Sequence, residues 1–332
     1  MKLKVLFVGD NHISAKNPVN RKDNYLEATL NKLKDCLKIG LENNVDAIVF
    51  LGDMFDVREE GPLARNGALN ILRSQSDNTP WPFPLYIVVG NHDIGSSFPL
   101  DKSSLGTLIE ANALTKVDFV DSLGIAFAHF TPFLDNEIKN NDFLLSQEAV
   151  IWACHASICD VPNPHYADKL VVFNEIKTHP KTKMIISGHI HHPMYQVRED
   201  GVIFVNPGAI GRYSASKDNL TRTLKVFLLE YDLQGNIYSQ EYLDLPSAKS
   251  FEEVFKIDEI KEAKLQKLEV REYIKKVSQI TTNSWATTVL DDKIQSLKDM
   301  GKNDNIEDIV VEMAIEALRK ANEDPNLERN EI

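Results

Sequence analysis

Three short stretches decide the fold: Val5-Leu-Phe-Val-Gly-Asp-Asn-His12, Ala47-Ile-Val-Phe-Leu-Gly-Asp53 and Leu85-Tyr-Ile-Val-Val-Gly-Asn-His-Asp93. Each is an apolar run of strand length that stops at a glycine followed at once by an acid or an amide. Between the first two, Leu26, Leu30, Leu33, Leu37 and Leu41 recur at helical spacing from about Tyr25 to Asn43, which makes a βαβ unit. A second helix, around Ala64 to Gln75, precedes the third run. Further runs at 124–128, 149–153, 183–186, 202–205 and 224–229 predict mostly strands in the following half. Strands alternating with helices, then strands in succession, specify an α/β fold: a four-layer sandwich of two mixed β-sheets flanked by helices.

The chain has 332 residues, 43% hydrophobic and 26% charged, enough for one full core and a smaller attachment. Its formal net charge of -12 argues against coating nucleic acid through a global field and leaves only local basic patches. No apolar run is long enough for a membrane helix, and the N-terminal run meets Asp10 too early for a secretory signal. Three cysteines, Cys36, Cys154 and Cys159, supply neither a disulfide framework nor a zinc ribbon. A cytoplasmic protein is expected. After Pro246 the composition turns rich in Lys and Glu, which divides the chain into a main domain, 1–246, and a helical C-terminal region, 247–332. Within the latter, Ile306, Ile309, Val310, Met313, Ala314, Ala317 and Leu318 form an apolar stripe behind Asn305. Residues 303–332 hold nine acids against three bases, half of the net charge, so the main domain is less acidic than the total implies.

Open α/β sheets carry functional groups in the loops beyond the carboxyl ends of their strands. Five such ends here carry metal-type ligands: Asp10 and His12; Asp53 and Asp56; Asn91, His92 and Asp93; His155; and His189, His191 and His192. A single Gly-Asp turn or one histidine would be ordinary loop chemistry. Five together are economical only if cations neutralise them, because clustered carboxylates and imidazoles are costly to bury unpaired. Carboxylate, carboxamide and imidazole without thiolate suit manganese, iron or zinc, and the ligand count suggests two ions with Asp53 as the bridge.

The ordered set Asp10-Asn-His12, Gly52-Asp-Met-Phe-Asp56, Gly90-Asn-His-Asp93, His155 and Gly188-His-Ile-His191 resembles the calcineurin-like metallophosphoesterase superfamily. The resemblance implies that Asp10, His12 and His191 hold one divalent ion, that Asp53 bridges, and that Asn91, His155 and His189 hold the other. It further implies phosphoester hydrolysis by a hydroxide between the ions. His92 would orient the phosphate or protonate the leaving oxygen, Asp93 would fix the His92 tautomer, and Asp56 would do the same for His12 or assist protonation. Cys154, His129, His165, His179 and His192 are expected to be ordinary loop or core residues.

Within the superfamily the flanks resemble the SbcD-type nuclease subunit of DNA double-strand-break processing complexes. The carrying features are the direct entry into Asp10-x-His12, the stretch Gly52-Asp-Met-Phe-Asp-Val-Arg58, and the turn Asn206-Pro-Gly followed by Arg212. This implies a manganese-dependent DNA nuclease partnered, through its C-terminal helices, by a coiled-coil ATPase of the SbcC type. The chain has no phosphate-binding Gly-x-x-x-x-Gly-Lys-Ser/Thr loop of its own. Arg58 and Arg212, with Lys16, Arg21, Lys22, Arg65 and Lys217, are the candidate substrate contacts. A homodimer through the helices near 64–75 and 103–113 is expected, and the compact, Asn- and Lys-rich composition suits a phage-encoded version. Two departures from the bacterial pattern are the short tail and Cys154 where glycine is often found. The alternative reading is a metal-dependent phosphomonoesterase or cyclic phosphodiesterase; a noncatalytic scaffold is a third, disfavoured by the complete ligand set.

Overall fold

In the computed structural model, residues 1–75, 77–95, 99–139, 144–159, 170–260 and 290–303 are described, with 311, 312, 314–316, 318 and 319. They divide into two units, Met1–Phe255 and Lys256–Ile332.

The first unit opens with β1 (Leu3–Val8), α1 (Tyr25–Glu42), β2 (Ala47–Phe50), α2 (Pro62–Arg73), β3 (Leu85–Ile87), α3 (Asn91–Ile94) and α4 (Ser104–Glu110). It continues through β4 (Phe119–Val120), β5 (Ile125–Ala128), α5 (Leu134–Lys139), β6 (Ile151–His155), β7 (Ile158–Cys159), β8 (Val171–Val172) and β9 (Met184–Gly188). The remaining elements are β10 (Met194–Val197), β11 (Ile203–Asn206), α6 (Lys217–Thr221), β12 (Lys225–Tyr231), β13 (Ile237–Asp244) and α7 (Phe251–Val254). One sheet has the order β13-β12-β1-β2-β3 and the other β10-β11-β9-β6-β5-β4, with β7 and β8 as a separate pair. Both are mixed: β1, β2 and β3 are parallel while β12 joins β1 antiparallel, and β5, β6, β9 and β11 are parallel between antiparallel β4 and β10.

Strand pleating sorts the side chains into layers. Along β1 and β2, Leu6, Val8, Ile48 and Phe50 pack with Leu33, Cys36 and Leu37 of α1 and with Ala64, Ala68 and Leu72 of α2. The alternate residues Leu3, Val5, Phe7, Ala47 and Val49 meet Ile125, Phe127, Ile151, Ala153, Met184 and Ile186 of the second sheet. On the far side, Trp152, Ile185 and Phe204 lie under Leu134 and Ile138 of α5 and Val171 of β8. With both faces covered, the central strands are apolar throughout; each fully buried Leu or Phe is worth about 1.5–3 kcal/mol. The architecture is the four-layer mixed α/β sandwich expected from the sequence. Asn24 caps α1, its side chain accepting the Glu27 N–H at 3.1 Å. Leu41, counted in the apolar stripe of α1, is exposed at the last turn.

The segment after Pro246 does not leave the first unit at once. Ser250 caps α7, and Phe251, Val254 and Phe255 are buried, with Phe255 bridging Arg21. In the second unit, α8 (Leu290–Asn303) buries Ile294 and Leu297. Residues 261–289, 304–310, 313, 317 and 320–332 lie outside the described residues, and with them much of the stripe behind Asn305. Among the described positions Ala314 of that stripe is buried, as are Val311 and Ile315. No helix among the described residues is long and apolar enough to cross a membrane.

Candidate metal centre

Because β1, β2 and β3 run parallel in one sheet, and β6 and β9 in the other, their carboxyl ends deliver five loops to one place. The loops are tied by backbone: Asn11 and His12 N–H donate to the Asp53 carbonyl, at 3.0 and 2.9 Å. Turning so sharply forces three ligand candidates into left-handed backbone, His12 (φ 47°), Asp53 (φ 45°) and His189 (φ 78°). Gly52 (φ 105°) lets its loop pass the His155 ring, where a Cβ would lie 2.2 Å from Nδ1.

The side chains gather in two adjoining sets. Asp10, His12 and His191 present ligand atoms within 4.8 Å of one another, as do Asp53, His155 and His189. In the first set, Nε2 of His12 and His191 are 2.9 Å apart, and Asp10 Oδ2 is 3.5 Å from His191 Nε2. In the second, Asn91 Oδ1 is 2.9 Å from His155 Nε2 and 2.8 Å from His189 Nδ1. Asp53 faces both: its Oδ2 is 3.7 Å from His12 Nε2 and 3.3 Å from His155 Nε2. The seven residues read from the sequence as ligands therefore converge.

Supporting contacts aim these atoms. His155 Nδ1 donates to the Leu51 carbonyl at 2.7 Å, which leaves Nε2 as the ligating nitrogen. Asp10 accepts the His189 N–H at 3.1 Å, and Asp53 Oδ1 accepts the His92 N–H at 2.9 Å. Phe130 stacks on His189 at 6.4 Å between centroids and meets His155 edge-on.

The donor set fits divalent cations. Asp10 and Asp53 are both 1% exposed, with no Lys or Arg ion-pair partner among the described residues. With protons as the only counter-charge, burial disfavours charged His155 but Asp53 and Asp10 outweigh it and raise its pKa to about 9. Burial likewise opposes ionised Asp53, yet the imidazoles of His155, His12 and His92 draw it below the usual carboxylate range. Imidazole, carboxylate and carboxamide around an acidic bridge match hard to borderline divalent metals.

His92 stands at the solvent side of this pair of sets. Its ring meets His12 edge-on at 4.8 Å, and its Nδ1 contacts the Asp56 carbonyl, which leaves Nε2 to face outward. Asp56 Oδ1 also lies 3.4 Å from His12 Nδ1. Asp93 departs from its expected one. Instead of contacting His92, its carboxylate accepts N–H groups from Met54 (3.1 Å) and Gly90 (2.9 Å), bracing the turns on either side of Asp53. Residue i+1 on a one-turn helix points away from its neighbour, so the Asp56 carbonyl takes over the His92 contact. Burial and the Asp53 charge push Asp93 up to about 7.

The two arginines expected at substrate are committed elsewhere. Arg212 is 7% exposed and donates to the carbonyls of Lys249 and Arg222; chain returning after β13 fills the space it would need to reach a cleft. Arg58 donates to the Lys102 carbonyl at 3.3 Å and pairs with Glu59 at 3.1 Å. His129 is spent on backbone, accepting from Val89 N–H and donating to the Val117 carbonyl, both at 3.1 Å. Cys154 is fully buried, which pushes its thiol up to about 12 and keeps it protonated.

Other residues of the site carry no motif. Tyr25 donates to the His12 carbonyl at 3.0 Å, and Arg222 donates to the His191 carbonyl at 3.0 Å. Phe130 follows the strand-end His129, so the loop was detectable while the residue that matters in it was not.

Fold and site together define a metal-dependent phosphoesterase. The family model described as the calcineurin-like phosphoesterase superfamily domain matches residues 3–229, and the chain belongs to that superfamily. Among solved structures, a dimetal phosphatase from Danio rerio is similar at 12% identity and a TM-score of 0.40, over 73% of this chain and 99% of that one. Yfce, a phosphoesterase from E. coli, is similar at 14% identity and a TM-score of 0.34, over 73% of this chain and 100% of that one. No curated protein matches the chain significantly.

Proposed function

We propose that this chain is a two-metal DNA nuclease of the SbcD type, with Asp10, His12 and His191 holding one ion, Asn91, His155 and His189 the other, and Asp53 between them. The observation that carries the two-metal reading is the single Asp53 oxygen within 3.7 Å of His12 Nε2 and 3.3 Å of His155 Nε2. Divalent ions so bound, manganese being the expected pair, supply Lewis acidity toward the phosphoryl oxygens and offset charge building up at phosphorus. The chain's own groups do the rest. With Nδ1 on the Asp56 carbonyl, His92 turns Nε2 outward, where it orients a phosphoryl oxygen or hands a proton to the leaving oxygen. Asp56 and the Leu51 carbonyl hold the His12 and His155 rings in place.

The choice of DNA rests on the Gly52–Arg58 and Asn206–Arg212 stretches. In this reading residues 247–332 recruit an SbcC-like ATPase, and the enzyme works as a cytoplasmic homodimer. The engagement of Arg212 and Arg58 with protein groups favours the second reading, a phosphomonoesterase or cyclic phosphodiesterase, because it removes two cations from a polyanion's path. Linear duplex DNA and p-nitrophenyl phosphate, each offered with manganese or magnesium to wild type and His92→Ala, separate the two. Manganese-dependent degradation of DNA, lost in the variant, is expected; turnover of the small ester with intact DNA, even beside a candidate ATPase, would establish the second reading.

A further inference from the structure

Beside the N-terminal turns of α1, away from the metal ligands in sequence, lies a cavity of about 110 Å³ lined by Arg21, Lys32, Arg212, Lys249, Asp23 and Ser247, among others. Three of its polar groups are unsatisfied. Lys32 is 4% exposed and has no hydrogen-bond or ion-pair partner among the described residues. Arg212 Nε and Ser247 Oγ are buried with no hydrogen-bond partner. All three can donate, and burying donors unpaired costs about 1–3 kcal/mol each, more for a cation. The lining also carries a surplus of positive charge: four cations, Arg21, Lys32, Arg212 and Lys249, against Asp23 and Glu27. Asp23 is already consumed by Arg21, which it pairs with at 2.8 Å through both oxygens.

We propose that this cavity is a binding site for a phosphate-type oxyanion, held by the Lys32 ammonium, the Arg212 Nε–H and the Ser247 hydroxyl. A tetrahedral oxyanion offers acceptors to all three donors and supplies the charge the lining lacks. The volume of about 110 Å³ leaves room for one such group beside the three donors. Burial, with Arg21 and Arg212 nearby, pushes the Lys32 ammonium down to about 7, which an anion would reverse. The site adjoins the metal loops through Arg222, whose carbonyl accepts from Arg212 and whose guanidinium holds the His191 carbonyl. Either the free ion or the terminal phosphate of a nucleotide supplies this chemistry.

The test is calorimetric titration of inorganic phosphate, and separately of AMP, into the metal-loaded enzyme at constant ionic strength. Wild type is compared with Lys32→Met, which replaces an unpartnered cation by an apolar chain of similar length and should fold. Beyond the binding at the metal centre that both proteins share, we expect a second, Lys32-dependent event at least tenfold weaker in Lys32→Met, with a smaller loss in Ser247→Ala, and a larger phosphate-induced rise in Tm in proteins retaining Lys32. Dependence on Lys32 seen with phosphate identifies the free ion, and dependence seen only with AMP identifies a phosphomonoester end. Equal binding of both anions by wild type and Lys32→Met, or no binding by either, would overturn the proposal.

Discussion

Replacing Gly90 by alanine tests whether the Asp53 carboxylate is held in place by contact. Gly90 has φ -97°, a conformation alanine adopts readily, so backbone preference contributes almost nothing. Its Cβ, however, would lie 2.1 Å from Asp53 Oδ1 and 2.4 Å from the Asp53 backbone nitrogen. Carbon and oxygen need about 1 Å more than this, and the nitrogen belongs to a turn braced by Asp93, so the carboxylate must give way. Moving it breaks the 2.9 Å bond from His92 N–H and shifts Oδ2 away from His12 and His155. Overpacking costs about 1–3 kcal/mol and a lost bond to a carboxylate about 1.5–3 kcal/mol, so Gly90→Ala should lose about 2.5–6 kcal/mol. A displacement on the order of 1 Å at the bridging ligand should cost about 100-fold in turnover. The matched control is Gly61→Ala, whose Cβ meets nothing within 4 Å and which should stay within about 1 kcal/mol of wild type. Urea melts, metal content by mass spectrometry and p-nitrophenyl phosphate turnover read the three effects. A Gly90→Ala protein with wild-type melting, two ions and full turnover would refute the contact.

His92→Ala should keep both ions yet lose about 10²–10⁴-fold in turnover, and a protein lacking metal would show that the ring holds an ion instead. Because His155 titrates near 9 without a cation, adding manganese to the chelated protein at pH 7.5 should expel about one proton from its ring. Titration heats that do not vary between Tris and phosphate-free MOPS would contradict that exchange. Lys32 is depressed from 10.5 to about 7 in the folded chain, so between those values the unfolded chain binds the extra proton and stability rises with pH. Relative to Lys32→Met, wild type should gain on the order of 5 kcal/mol between pH 7 and 10.5, and parallel pH profiles of the two proteins would dismiss the burial cost.

The interior strands were legible because both faces are covered: β1, β2, β6 and β9 read as unbroken apolar runs. The edge strands were not. In β10 and β13 one face meets solvent, so Met194-Tyr-Gln-Val197 and Ile237-Tyr-Ser-Gln-Glu-Tyr-Leu-Asp244 mix polar and apolar residues and carry no run. The ligand candidates stood out since each sits directly after a strand and belongs to a residue type that strand ends seldom need. Direction was harder to read than identity: Asp93 follows His92 in sequence but turns back to the Gly90 and Met54 amides. Arg212 likewise follows a recognisable turn, and only the chain returning after β13 shows that its guanidinium is spent inside the protein. Lys32 sits next to Leu33 of the apolar stripe in α1, and no feature of that stripe marks a lysine there as buried.

The left-handed backbone at His12, Asp53 and His189 sets stability against function at these positions. Side chains other than glycine, asparagine and aspartate give up about 1–2 kcal/mol in that region, so the two histidines are poor local choices kept for their nitrogens. Selection for heat resistance alone would drive His12 and His189 toward glycine or asparagine and yield a tougher, inert chain. Screens of this protein that score folding without scoring turnover will therefore enrich the variants that have dismantled its centre.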